Sequence, residues 1–201
     1  MFRSMSKPAS KNLSPRRLPR YTPPMSIWKS HFVLDVESDG PAPSLYNMIS
    51  FGLVAVCDPA QGFLGEVAPV LDNPGVPGAR EVTGVSFETQ KGWRDPALVM
   101  ADAVEWLKQR TEGKRAVLWS DNPAFDWSFW NWYCHKFVGH NPAGFSMRRI
   151  GDLDAGRRGE PLTTSAWKKR RETSHTHNPV DDARGNAEAL RWILEQMGEK
   201  L

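Results

Sequence analysis

The residues His31-Phe-Val-Leu-Asp-Val36 form a mainly apolar, strand-like run without glycine or proline, and the acidic Glu37 follows it directly. Two further apolar runs come next along the chain, at 48–56 and 62–70, and the segments between the runs contain Gly, Pro, Asn and Asp. Apolar runs of this length, bounded by turn-forming residues, are typical of β-strands. Three such strands in succession predict an antiparallel meander.

Helical spacing of apolar residues replaces the strand pattern in the second half of the chain. It is found in residues 95–109 and again from about 180 to 197. A short apolar strand is predicted at 116–119 and a further helix after Asp126, whereas the Gly- and Pro-rich residues 73–78 predict a loop. This order predicts an α/β fold, in which a mixed sheet with an antiparallel meander and parallel strands is flanked by helices.

The formal net charge of +3 hides two different regions. Residues 1–26 contain six basic residues, no acidic residue and five prolines, which is the composition of a disordered basic arm. Such an arm can be a solvated tail or can touch nucleic acid nonspecifically; its composition also resembles a mitochondrial presequence, against which the prolines argue. We therefore place the folded domain at 27–201, where 20 basic residues face 23 acidic ones.

The composition excludes several classes of protein. A chain of 201 residues suits one domain, and no segment has the ~20 consecutive apolar residues that a bilayer-spanning helix needs, so we expect no membrane insertion. Cys57 and Cys134, the two cysteines, lie far apart in the chain, which argues against a disulfide framework and a cysteine zinc site. A reducing, cytoplasmic location is the simpler expectation.

The first chemical feature is the pair Asp35 and Glu37 at the end of the first predicted strand. Residues two apart in a strand point to the same face, so both carboxylates can serve one site. A solvated strand end is the alternative for this pair alone.

Two more acidic features follow in the second half of the chain. Asp126 comes shortly after the 116–119 strand, and Asp182 comes five positions after His177, at the start of the last predicted helix. An aspartate near a helix start is often only an N-cap, and a lone histidine is often a surface residue. The occurrence of Asp126, His177 and Asp182 together with Asp35 and Glu37 is what favours a functional site.

In this order, the segments Asp35-Val-Glu37, Asn122-Pro-Ala-Phe-Asp126 and His177-Asn-Pro-Val-Asp-Asp182-Ala183 resemble the DEDDh 3′-to-5′ exonucleases of the ribonuclease H-like superfamily. The resemblance covers about residues 30 to 197 and looks most like the bacterial and phage exoribonuclease branch. Pro123 and Pro179 depart from the family pattern, which usually has small residues there. The resemblance implies a ribonuclease H-like fold.

The resemblance also implies a role for each matching residue. Asp35, Glu37, Asp126 and Asp182 would bind two divalent ions, and His177 would be the general base. Mg²⁺ or Mn²⁺ is expected, because a site of carboxylates and waters suits hard ions. Two such ions can neutralise an anionic phosphodiester and activate a water. His175 is the local rival for the role of base.

The expected substrate is the 3′ end of single-stranded RNA or DNA, with RNA slightly favoured, and nucleoside monophosphates are the expected products. The predicted substrate contacts are Ser38, Asp39 and Gly40, directly after the first ligands, Met48 and Ile49 of the next strand, and Phe129 of the aromatic segment around Asp126. For the apolar residues among them, packing in the core is the alternative. The basic run 168–171 either contacts phosphates or is a solvated loop. A homodimer stays possible.

Two other functions use the same pattern. An endonuclease of the same superfamily would keep the four acids without needing His177. A noncatalytic nucleic-acid-binding or protein-binding module would be expected to lose a ligand, whereas all five positions are filled here.

Overall fold

The computed structural model describes residues 25–201. The predicted basic arm lies outside the described residues except for its last two, which belong to a short 3-10 helix, Met25–Ser30, that leads into the first strand. None of the helices in the described part of the chain is long and apolar enough to cross a membrane.

Five strands form one mixed sheet in the order β3-β2-β1-β4-β5. The meander β1, β2 and β3 is antiparallel, whereas β4 runs parallel to β1 and β5 parallel to β4. This topology confirms the predicted mixed sheet flanked by helices. The strands are β1 (His31–Ser38), β2 (Met48–Ala55), β3 (Gly62–Glu66), β4 (Val117–Ser120) and β5 (Arg148–Arg149).

The helices agree with the sequence in two places and differ in others. The predicted helices at 95–109 and about 180–197 are present as α3 and α6, but α4 begins at Pro123, so Asp126 lies in its first turn rather than before it. Short helices that the periodicity missed follow the 73–78 loop and β5. The helices are α1 (Ala79–Thr83), α2 (Phe87–Lys91), α3 (Pro96–Thr111), α4 (Pro123–Phe137), α5 (Ile150–Arg158) and α6 (Pro179–Gln196), with a 3-10 helix at Ala166–Arg170.

The sheet has a hydrophobic core on each face. Phe32 and Leu34 of β1 pack in the core that includes α3 and α4, whereas Val33 packs in the core that includes α6. Side chains alternate between the faces of a strand, so Asp35 and Glu37 point to the same side as Val33, toward α6. The alternation of side chains along β1 thereby places the acidic pair on the face of the sheet opposite the larger core.

The first turn of α6 approaches the sheet closely at Gly52 of β2, the residue paired with Asp35. A Cβ atom on Gly52 would lie 2.2 Å from the carbonyl oxygen of Pro179, the first residue of α6. The missing side chain therefore lets this helix start lie against the strand that neighbours Asp35.

Candidate active site

Three carboxylates converge where β1 ends against the start of α6. Asp35, Glu37 and Asp182 each offer an oxygen atom, and these atoms all lie within 4.8 Å of one another. Asp35 and Glu37 come from one strand face, and Asp182 comes from the first turn of α6, where the helix dipole favours negative charge. The structure thus brings together three of the four acidic residues predicted from the sequence.

Asp126, the fourth acidic residue, reaches β1 from the first turn of α4. One carboxylate oxygen accepts a 3.0 Å hydrogen bond from the backbone amide of Val36, between the two acids of β1. The other oxygen accepts a hydrogen bond from the hydroxyl of Ser120, the last residue of β4. These contacts fix Asp126 beside the other three acids; Ser120 was not predicted, and its place at the end of a strand is the signal that could have identified it.

Burial, and to a lesser extent repulsion between carboxylates, raises the pKa values of three of these acidic groups. Burial raises the pKa of Glu37 to about 7, and repulsion from Asp182 and Asp126 adds to this effect. Burial likewise raises the pKa of Asp126 to about 7, although hydrogen bonds from Ser120 and Val36 oppose the shift. The pKa of Asp35 lies well above its usual range for the same reasons, burial first and then the neighbouring acids.

The donor set fits hard divalent cations. Four carboxylates face one small region, and burial and repulsion raise the pKa values of Asp35, Glu37 and Asp126, a cost that a cation would relieve. Oxygen donors of this kind suit Mg²⁺ or Mn²⁺, and three of them are already close enough together to share ions.

Both histidines of the 175–178 loop reach the acidic cluster. His177 has a left-handed backbone, with φ of 61°, and its Nδ1 lies 3.8 Å from Oε1 of Glu37. Nδ1 of His175 lies 2.8 Å from Oδ2 of Asp182. The backbone amides of Thr176 and His177 donate to the two oxygens of Asp182, at 2.8 and 3.1 Å, and so hold the loop over this carboxylate.

An open cavity of about 380 Å³ adjoins Glu37, with Ser38 and Gly40 in its wall. These two of the predicted substrate contacts therefore line a cavity next to the acids. Its other walls were missed from the sequence, because they come from the irregular region around α1 and from the start of α4: Pro41, Val76, Ala79, Val82 and Phe125. An aromatic residue one position before a predicted ligand was the available signal for Phe125.

Asp39 is predicted as a substrate contact, but it has no exposed surface, so the structure contradicts this prediction. Its carboxylate is completely buried, accepts hydrogen bonds from Asn47 at 2.6 and 3.0 Å, and pairs with Arg80 at 2.7 Å. Arg80 also donates to Gln90 of α2. The side chain of Asp39 therefore anchors α1 and α2 to the end of β1, and its charge is already paired.

Three apolar substrate predictions are also wrong. Met48, Ile49 and Phe129 have no exposed surface, because they pack inside the protein and cannot touch a nucleobase. The phenylalanine that reaches the cavity is Phe125, one helical turn before Phe129. Gly40 has no room for a side chain because the ring of Tyr46 lies only 2.1 Å from where its Cβ would be, so the close neighbour of this glycine is a residue of the protein.

The basic run 168–171 divides between two environments. Lys169 and Arg170 are exposed, and Arg170 lies over the ring of Trp192. Lys168 pairs with Asp121 at 2.5 Å. Arg171 is mostly buried and close enough to Asp35 to oppose the rise in its pKa. Of the run, Arg171 is thus the cation that faces the acidic cluster.

The sequence of this chain is similar to that of a known exonuclease. No protein-family model matches the chain. The 3′-5′ DNA exonuclease Cap18 of Escherichia coli is 31% identical over 179 residues, which cover 83% of this chain and 92% of that protein.

Solved structures of similar fold include two nucleases. The nuclease domain of 3′hExo, a DEDDh family member bound to rAMP, has a TM-score of 0.61 at 16% identity and covers 83% of this chain and 92% of its own. Exonuclease I of E. coli in complex with a dT13 oligonucleotide has a TM-score of 0.63 at 14% identity over 84% of this chain and 41% of its own. At these identities the likeness concerns the fold.

Proposed function

The chain belongs to the DEDDh family of 3′-to-5′ exonucleases, and we propose that it removes nucleoside monophosphates stepwise from the 3′ end of single-stranded DNA by metal-dependent hydrolysis. One observation carries the proposal. Oxygen atoms of Asp35, Glu37 and Asp182 lie within 4.8 Å of one another, and Nδ1 of His177 lies 3.8 Å from Glu37. The acids and His177 thus lie together, and one of the acids, Glu37, also lines the adjoining cavity.

The four carboxylates would hold two ions of Mg²⁺ or Mn²⁺. When bound, such ions neutralise charge on the phosphate and make a water more acidic. Asp35, Glu37 and Asp182 bring their oxygens together, and Asp126 is held beside them by Val36 and Ser120. The protein thereby supplies a fixed set of oxygen donors, so little reorganisation is needed at the time of reaction.

His177 accepts the proton of the attacking water in this proposal. A histidine changes protonation near neutral pH and can therefore act as a general base. Its side chain is 42% exposed, so a proton taken from the water can pass on to solvent. The hydrogen bonds from the 176–177 backbone to Asp182 keep the loop close to the carboxylates.

The cavity beside Glu37 is the proposed place of the 3′-terminal nucleotide. Phe125 offers a ring on which a base can stack, and Val76 and Val82 supply an apolar wall. Arg171, which faces the acids, is placed to balance phosphate charge. The aromatic and apolar wall recognises a base without reading its identity, which suits stepwise removal of any nucleotide.

DNA is proposed as the polymer because the relative with 31% identity is a 3′-5′ DNA exonuclease. The sequence alone slightly favoured RNA, and the two polymers differ at the 2′-hydroxyl.

The test is digestion of matched single-stranded DNA and RNA, each labelled at its 5′ end, with Mg²⁺ or Mn²⁺. A ladder that shortens one nucleotide at a time, faster for DNA, is expected. Internal fragments from a strand blocked at its 3′ end would indicate an endonuclease instead. Binding of the strand without its degradation would indicate a noncatalytic module. The Asp35→Asn variant provides the inactive control.

A further inference from the structure

The loop that carries His177 also holds a second histidine against the acidic cluster. Nδ1 of His175 lies 2.8 Å from Oδ2 of Asp182, and the rings of His175 and His177 meet edge to face with centroids 4.5 Å apart. The proposed hydrolysis needs no such residue. We propose that His175, His177 and Asp182 form a second cation site that takes Zn²⁺, and that its occupation inhibits the nuclease.

The distances between the donor atoms support the binding of one metal ion by all three residues. One nitrogen from each histidine and one oxygen of Asp182 all lie within 4.8 Å of one another. A zinc ion with ligand bonds of about 2.1 Å brings its donors to about 3.5 Å apart. Small rotations of two side chains that are 49% and 42% exposed cover the difference.

The loop is already shaped for such a site. Amides of Thr176 and His177 donate to Asp182, and the side chain of Asn178 accepts from Val180 at 3.0 Å to cap α6. The imidazole rings of His175 and His177 are already in contact, with centroids 4.5 Å apart. The histidines therefore need not be gathered from a mobile segment, which lowers the entropic cost of binding.

Ligand chemistry separates this site from the carboxylate site. Two imidazoles and one carboxylate suit Zn²⁺, whereas Asp35, Glu37 and Asp182 offer only oxygen and suit Mg²⁺ or Mn²⁺. Asp182 belongs to both groups, so the two kinds of ion compete for it. Inhibition rests on the proposed function, because Zn²⁺ on His177 occupies the lone pair that would accept a proton.

The decisive experiment is calorimetric titration of Zn²⁺ into the metal-free full chain, which needs no turnover. His175→Ala is compared with His140→Ala, which removes an exposed histidine that lines a different cavity with Val104 and Leu107. We expect the wild type and His140→Ala to bind Zn²⁺ alike. His175→Ala should bind Zn²⁺ about 10- to 100-fold more weakly. Its affinity for Mg²⁺, followed through the stabilisation of the fold by Mg²⁺, should stay within about threefold of the wild-type value.

Two results would overturn the site: Zn²⁺ binding that is equal in His175→Ala and wild type, or an equal loss of Zn²⁺ and Mg²⁺ binding, which would make His175 only a support for Asp182.

The inhibition is measured separately. At a fixed Mg²⁺ concentration, half-inhibition by Zn²⁺ should need more zinc in His175→Ala by the factor found in the titration. A chain that binds Zn²⁺ at these residues but degrades no strand would refute the proposed nuclease and leave the site standing.

Discussion

Asp126 and Asp182 are held in place by the same local arrangement. Each is the last residue of an Asn-Pro-x-x-Asp segment, in which the asparagine is the helix N-cap and the proline opens the helix. Proline is favoured there because its fixed φ suits a helix and its missing N–H would have had no partner. The two prolines that depart from the family pattern therefore stiffen the helix starts that carry the proposed ligands.

Replacing His177 by Ala should lower kcat by on the order of 10²-fold or more, because the proposed general base is lost. Steady-state rates on a 5′-labelled DNA strand measure the effect, with circular dichroism to verify folding. Full activity of this variant, together with a large loss in His175→Ala, would transfer the role of base to His175.

Replacing Phe125 by Ala should raise KM about 10-fold with a smaller change in kcat, since base stacking contributes about 1–3 kcal/mol to binding. Phe145, which is 92% exposed, gives the matched control Phe145→Ala, for which no change is expected. Equal KM values for the two variants would remove Phe125 from the nucleotide site.

At the scale of elements, the site depends on how closely α6 approaches the meander. α6 contributes Asp182, and β1 contributes Asp35 and Glu37, so their distance depends on the contact at Gly52. Another close approach helps: a Cβ on Gly185 of α6 would lie 2.6 Å from the carbonyl oxygen of Thr173, in the segment before the histidines. Helix, strand and loop are thus packed together through two glycines.

Substituting Gly52 by Ala should push the start of α6 from the sheet, lower the melting temperature and reduce turnover at least about 10-fold, because overpacking of a tight contact costs about 1–3 kcal/mol. Gly156 of α5 is the control, since a Cβ there meets nothing within 4 Å. Gly156→Ala should be neutral or stabilising. A Gly52→Ala protein as stable and active as wild type would show that this approach is unimportant.

At the scale of the whole molecule, the acidic cluster destabilises the folded state. Residues 27–201 have a small excess of acids, yet four of them are gathered at one end of the sheet, between α4 and α6. Burial and repulsion favour the protonated forms of Asp35, Glu37 and Asp126, so the folded state opposes the charge that neutral pH imposes on them. A bound cation would relieve this cost.

The metal-free protein should lose stability as pH rises. Folding raises the pKa of Glu37 from 4.5 and that of Asp126 from 3.8, each to about 7, so the stabilisation is full below about pH 4 and is lost as pH passes through 7. We expect the melting temperature in EDTA to fall by on the order of 5 °C between pH 5 and 8, and less in Asp35→Asn.

Divalent ions should reverse this loss. At pH 7.5 the melting temperature should be higher with Mn²⁺ than with EDTA, since an ion that binds only the folded state stabilises it. Equal melting temperatures under the two conditions would contradict the proposed ion binding at the cluster.

The amino-acid sequence by itself determined the meander, the long helices, the order of the sheet-forming and helical regions and the candidate residues Asp35, Glu37, Asp126, His177 and Asp182. These are local properties: apolar periodicity, helix starts and short spacings. Only the tertiary structure decided which neighbours are accessible. It buried Asp39 beside Arg80, withdrew Met48, Ile49 and Phe129 into the interior, and brought Phe125 and His175 to the acids. The physical reason is that exposure and contact depend on which elements pack together, as α6 does against Gly52, and no periodicity within one segment encodes that packing.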